Sequence, residues 1–90
     1  MLNRVEDSLS EVGWEWPQYR CMIDERHFYR IRSPKTFVEL QQVGRRWVRH
    51  DVEAKVYPEQ LRIADMLRAS GETYRVCSAE EWQAIEDRMG

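Results

Sequence analysis

The chain is poor in cysteine, proline and glycine and has no long apolar run. Its 90 residues include two cysteines, three prolines and four glycines. Cys21 and Cys77 lie far apart in sequence, and neither sits in a Cys-x-x-Cys or similar ligand spacing. Two thiols so placed exclude a disulfide framework and a zinc site of the usual spacing. The expectation is a pair of buried thiols in a reducing cytoplasm. The opening Met1-Leu2-Asn3-Arg4-Val5-Glu6-Asp7 lacks the apolar stretch of a secretory signal. No apolar run approaches the ~20 residues of a membrane-spanning helix. Repeats, low-complexity tracts and linkers are also missing, so residues 1–90 read as one domain, cytoplasmic and without a membrane partner.

What is present is a segregated charge. The net charge is only -2, yet residues 20–50 carry eight basic side chains (Arg20, Arg26, Arg30, Arg32, Lys35, Arg45, Arg46, Arg49) against three acidic ones. Both flanking segments are acidic. Seven of the eight cations are arginine, whose planar fork suits bidentate recognition of phosphate or carboxylate. The four tryptophans, four tyrosines and two phenylalanines supply the large buried area that a small core requires.

Hydrophobic periodicity orders the chain. Leu2, Val5, Leu9 and Val12 share one face of a helix, with Asn3 and Glu6 as a capping box and Gly13 as its stop. Trp14-Glu15-Trp16-Pro17 is a connector, its rings capping one end of the core. Residues 19–24 and 27–32 alternate as strands around an Asp24-Glu25-Arg26 turn, and Ser33-Pro34-Lys35 turns the chain into a third strand, Phe37 to Gln42. After Val43-Gly44 a long fourth strand runs to Val56. Pro58 opens a helix that Gly71 closes, Thr73 to Cys77 is a short strand, and Ser78 with Glu81 caps a last helix. The expected architecture is α+β: an N-terminal helix, a three- to four-stranded, mainly antiparallel sheet, then α-β-α, with the strand after the helix free to return in parallel. The predicted core is Tyr29, Ile31, Val38, Leu40, Val48, Val52, Val56, Leu61, Ala64, Leu67, Val76, Trp82 and Ile85.

This order, together with Val52-Glu53-Ala54-Lys55, Pro58-Glu59-Gln60, Ser70-Gly71 and Tyr74-Arg75-Val76-Cys77-Ser78, resembles the end of small PD-(D/E)XK nucleases of the VRR-NUC type over about residues 36–82. That family's core has the order αβββαβ. The resemblance implies a metal-dependent phosphodiesterase, with Glu39 and Glu53 holding a divalent cation such as Mg²⁺ and Lys55 beside them. The family usually has Asp where Glu39 stands. A second register takes Asp24, Glu39 and Gln41 instead. The competing reading of Glu53 and Lys55 is a solvated strand face with cross-strand charge pairs.

Arg30, Arg32, Arg45, Arg46 and Arg49, with Trp47 and Phe28 for stacking, form a candidate nucleic-acid surface. An acidic host protein satisfies the same charges. His27 and His50 read as ordinary strand residues. The acidic last helix (Glu80, Glu81, Glu86, Asp87) is most simply a solvated face; its alternative is charge mimicry toward a basic partner. Two function classes stand: a small nucleic-acid-interacting domain, nuclease-like with or without activity, and a non-catalytic protein-binding accessory or inhibitor, for example of phage or mobile-element origin. Open sheet edges add homo-oligomerisation as a third partner expectation.

Overall fold

The structure, a computed structural model, describes residues 13–89. The expected N-terminal helix through Leu2, Val5, Leu9 and Val12, with its Asn3–Glu6 box, lies outside those residues.

Five strands form one antiparallel sheet: β1 (Gln18–Met22), β2 (His27–Ser33), β3 (Thr36–Val43), β4 (Arg46–Glu53) and β5 (Tyr74–Val76). Among the described residues two helices accompany them, α1 (Tyr57–Arg68) and α2 (Ala79–Met89). Neither is long and apolar enough to cross a membrane. The spatial order is β4-β3-β2-β1-β5. Short turns make β1 to β4 a meander. The crossover through α1 then carries the chain across the sheet, so that β5 pairs beside β1. The class is the expected α+β. The strand count is larger than expected, and β5 joins antiparallel to β1 rather than in parallel.

The sheet is buried on both faces, one helix to each. On the α1 face, Tyr29, Ile31 and Phe37 pack with Ala54, Ile63, Met66 and Leu67, and Trp14 and Trp16 close over one end of this cluster. On the α2 face, Cys21, Phe28, Val38 and Leu40 pack with Cys77, Trp82 and Ile85. Strand alternation sends Tyr29 and Phe28 to opposite cores, and this is why Phe28 is nearly as dry as Tyr29. Eight predicted core residues are buried: Tyr29, Ile31, Val38, Leu40, Ala64, Leu67, Trp82 and Ile85. Val52 is half-buried. The other four are exposed, Val48 at 37%, Leu61 at 41%, Val56 at 54% and Val76 at 61%. For the strand positions the reason is shared. β4 is an edge strand that stops at Glu53, before Val56, and Val76 stands on the opposite rim.

Local signals fare unevenly. Ser78 and Glu81 make the expected reciprocal box: Glu81 N–H donates to Ser78 Oγ at 3.0 Å, and Ser78 N–H donates to Glu81 Oε2 at 3.0 Å. Pro58 stands in the first turn of α1. That helix ends at Ala69, in the left-handed conformation (φ 47°), two residues before Gly71.

Candidate functional site

The nuclease-type residues do not converge. Glu39 faces α1, since it lies across from His50 on β4 and Tyr29 on β2. Glu53 lies across from Thr36, an odd number of positions further along, so its side chain leaves the opposite face. Lys55 follows Glu53, 4.0 Å from its carboxylate, with both side chains largely in solvent. In the second register Glu39 and Gln41 do share a face, while Asp24 sits in the exposed β1–β2 turn and accepts the Arg26 N–H at 2.9 Å. Among the described residues no three His, Cys, Asp or Glu side chains are gathered as a metal would need. The carboxylate pair therefore does not fit a shared cation, and we derive no catalytic step through one.

Glu39 is committed elsewhere. It is buried to 8% exposure, and a buried carboxylate needs partners. His27 Nδ1 lies 2.7 Å from Glu39 Oε2, and Arg62 of α1 reaches within 3.8 Å of the same oxygen. The Arg62 guanidinium also donates to the Tyr29 hydroxyl at 3.1 Å and lies over the Tyr29 and Phe37 rings. Burial, reinforced by the nearby Glu39 charge, pushes the Tyr29 phenol well above its usual range, so it stays protonated at neutral pH. Beside this cluster His50 Nε2 meets Gln41 Oε1 at 3.0 Å. Chemically this is a carboxylate–imidazole–guanidinium brace that ties α1 to β2 and β3. His27 is thus more than an ordinary strand residue, and Arg62 carries no sequence signal beyond being one more helix cation.

The arginines divide into engaged and free. Arg20 is 4% exposed and works as a fork under α1: Nε donates to Met66 O at 2.9 Å and Nη2 to Leu67 O at 3.1 Å. Those carbonyls belong to the last turn of α1, which has no further helical donors. On the α2 face, Arg32 and Arg49 both bond Asp51, and Arg49 also bonds Glu86 at 3.2 Å. Arg30 is half-buried on that face. Arg75 bridges Glu25 and Glu81.

At the β3–β4 hairpin the pattern changes. Arg26, Arg45, Arg46 and Arg88 are exposed and have no carboxylate partner among the described residues. Gly44, at φ +63°, makes the two-residue turn possible with Arg45 at its tip. An open groove of about 530 Å³ runs here, lined by Gln42, Gly44, Arg45, Arg46, Trp47, Arg88 and Met89. A smaller hollow lined by Arg26, Gln42 and Gly44 adjoins it through the last two. Trp47 is half-buried, held edge-on against Phe28 with ring centroids 5.9 Å apart, and borders the groove. Of the expected nucleic-acid residues, the structure brings Arg45, Arg46 and Trp47 together here and sets Arg30, Arg32 and Arg49 apart on the α2 face. Arg26 and Arg88 join the first group through the β1–β2 turn and the end of α2. For Arg88, only the tertiary placement of the C-terminal helix gives that away.

No family model, no curated protein and no solved structure matches this chain.

Proposed function

We propose that this chain is a small nucleic-acid-contacting domain that grips the phosphate backbone with the β3–β4 hairpin tip and works without catalysis. The observation that carries the reading is the concentration of free arginines. Most other arginines are braced by carboxylates or carbonyls, the half-buried Arg30 being an exception, whereas among the described residues Arg45, Arg46 and Arg88 around the groove and Arg26 in the adjoining hollow have no carboxylate partner. Clustered unpaired guanidiniums repel one another, and an anion that threads between them relieves that repulsion and releases its own counterions. Forked donors match phosphate oxygens, and the border position of Trp47 offers one ring to an unpaired base. A nuclease-like ancestry is compatible with the strand and helix order through β3, β4 and α1, but the separation of Glu39 from Glu53 favours binding over cleavage.

The test is fluorescence anisotropy of labelled single- and double-stranded DNA across a salt series, with and without Mg²⁺, with the same samples run on a gel for cleavage. Binding should weaken steeply with salt, and each of Arg45→Ala and Arg46→Ala should flatten the salt slope by about one. The control Arg68→Ala, an arginine of α1 that pairs with Asp65, should change neither. A salt-insensitive complex sinks the reading, and metal-dependent cutting lost in Glu53→Ala would restore the nuclease one.

A second reading has its own observation. Val56, Tyr57 and Leu61 are exposed at 54%, 70% and 41% around the start of α1, and Tyr57 and Leu61 are one helical turn apart. Such a patch favours the protein-binding accessory or inhibitor class. No DNA binding at low salt, with a protein complex in a pull-down that Tyr57→Ala and Leu61→Ala abolish, would support it.

A further inference from the structure

β4 is the most exposed strand of the sheet: six of its eight residues are exposed and two half-buried. Among the described residues only β3 pairs with it, so that it ends the sheet. Ala54 N–H donates to Lys35 O, which sets the phase of the β3–β4 ladder. By alternation Trp47, Arg49, Asp51 and Glu53 turn their backbone N–H and C=O groups away from β3. Those groups have no protein partner among the described residues. Charged side chains usually protect such an edge. Here the charges complement themselves.

We propose that β4 pairs antiparallel with β4 of a second copy, on a two-fold axis through His50, to make a continuous ten-stranded sheet. Of the registers centred on residues 49, 50 and 51, the side chains favour this one. Pairing about His50 sets Arg49 against Asp51 of the second copy, twice, and Val48 against Val52 of the second copy, also twice. Opposite charges and β-branched residues facing across strands are both favourable pairs. A shift that centres the axis on Arg49 puts Arg49 against Arg49; one that centres it on Asp51 puts Asp51 against Asp51. Both place like charges face to face. In the His50 register Arg49 and Asp51 form the hydrogen-bonded pairs, because both turn their backbone groups outward. Neither face obstructs the approach, as Arg49 and Asp51 keep 43% and 61% of their side chains exposed and Val48 is 37% exposed. The hairpin tips then lie at opposite ends of the joined strands, roughly 34 Å apart at ~3.4 Å per residue. For the nucleic-acid reading, on which this one consequence rests, that is about one turn of a B-form duplex.

The experiment needs no nucleic acid. Sedimentation equilibrium of the full chain should show a concentration-dependent dimer. Arg49→Asp and Asp51→Arg should each be monomeric, with unchanged circular dichroism. Mixing the two variants should recover a heterodimer, because the acids at both positions of one chain then face the arginines at both positions of the other; the contacts within one chain cannot produce that rescue. The register is read by His50→Cys under mild oxidation. Residue 50 would form a non-hydrogen-bonded pair with its copy, Cα atoms ~4.5 Å apart, within reach of a disulfide, while Cys21 and Cys77 stay buried. His50→Cys should cross-link at least tenfold faster than Arg49→Cys or Asp51→Cys. A wild-type monomer at all concentrations, no rescue on mixing, or faster linking at 49 or 51 overturns the proposal. DNA binding by a protein that stays monomeric would leave the tip reading standing and remove this one.

Discussion

Arg20 and Arg45 are the same residue in opposite circumstances. Arg20 is dry, forked onto two helix carbonyls, and set beneath α1. Arg45 stands on a hairpin tip with no acidic partner among the described residues. A positive surplus counted along residues 20–50 treats them alike. The structure assigns the first to holding the fold and leaves the second for a ligand. A basic stretch therefore carries functional information only after subtraction of the cations that the protein itself consumes.

The sharpest way to break this contrast is to truncate both. Arg20→Ala should cost about 3 kcal/mol of stability, since it orphans the Met66 and Leu67 carbonyls and empties a packed site. Urea denaturation measures it. Arg20→Lys should recover only part of the loss, because one ammonium cannot fork to both oxygens. Arg45→Ala should shift stability by less than about 0.5 kcal/mol, and together with Arg46→Ala it should weaken DNA binding by at least tenfold at low salt. If Arg45→Ala destabilises as much as Arg20→Ala, the tip is structural and the division fails.

Glu39 lies between the two extremes. Glu39→Gln keeps the shape but removes the charge that faces His27 and Arg62, and it should cost about 1–2 kcal/mol. It should leave DNA affinity unchanged. A loss of binding without a loss of stability would move Glu39 from brace to site.

The same contrast between buried and open groups has a pH signature. Burial pushes the Cys77 thiol up to about 12, and Cys21 is raised for the same reason; Tyr29 is raised as well, first by burial and then by Glu39. In the unfolded chain the thiols ionise near ~8.5 and the phenol near ~10. Above those values the unfolded state holds fewer protons than the folded state, so stability should fall as pH rises from about 8.5 toward 12. Full stability is retained below that window. Cys77→Ser should flatten the early part of the decline, and thermal melts from neutral pH up through the window read it.

Much of this was legible in the sequence. Alternation located β1 to β4 and their turns, and the Ser78–Glu81 box located the start of α2, because those signals are local. What the sequence hid was tertiary. Val48 and Val56 alternate as a core strand should, but β4 is an edge, and edge position depends on which strand lies beyond. Phe28 and Phe37 look solvent-facing when one sheet face is taken as dry; with a helix on each face, both are buried. For the site, Arg45, Arg46 and Trp47 were recoverable as neighbours on one hairpin. Arg88 reaches the groove, and Arg26 the hollow beside it, from elements remote in sequence, and the pairing of Glu39 with His27 and Arg62 needed both cross-strand register and helix placement. Glu53 and Lys55 read as a motif because i and i+2 share a strand face, yet the strand stops at Glu53 and Glu39 faces the other way.

The smallest effect separates the backbone of the tip from its side chains. Gly44 has φ +63°, and a Cβ added there meets nothing within 4 Å. Gly44→Ala is therefore strained by conformation alone, and should cost about 1 kcal/mol. Gly44→Asn should cost less, since Asn tolerates the left-handed region. If the arginines bind as free charges, both variants should keep DNA affinity within about threefold. If Gly44→Ala lowers affinity in step with Arg45→Ala while stability falls only slightly, the turn itself presents the guanidiniums in a fixed geometry, and the tip is a shaped receptor rather than a diffuse patch of positive charge.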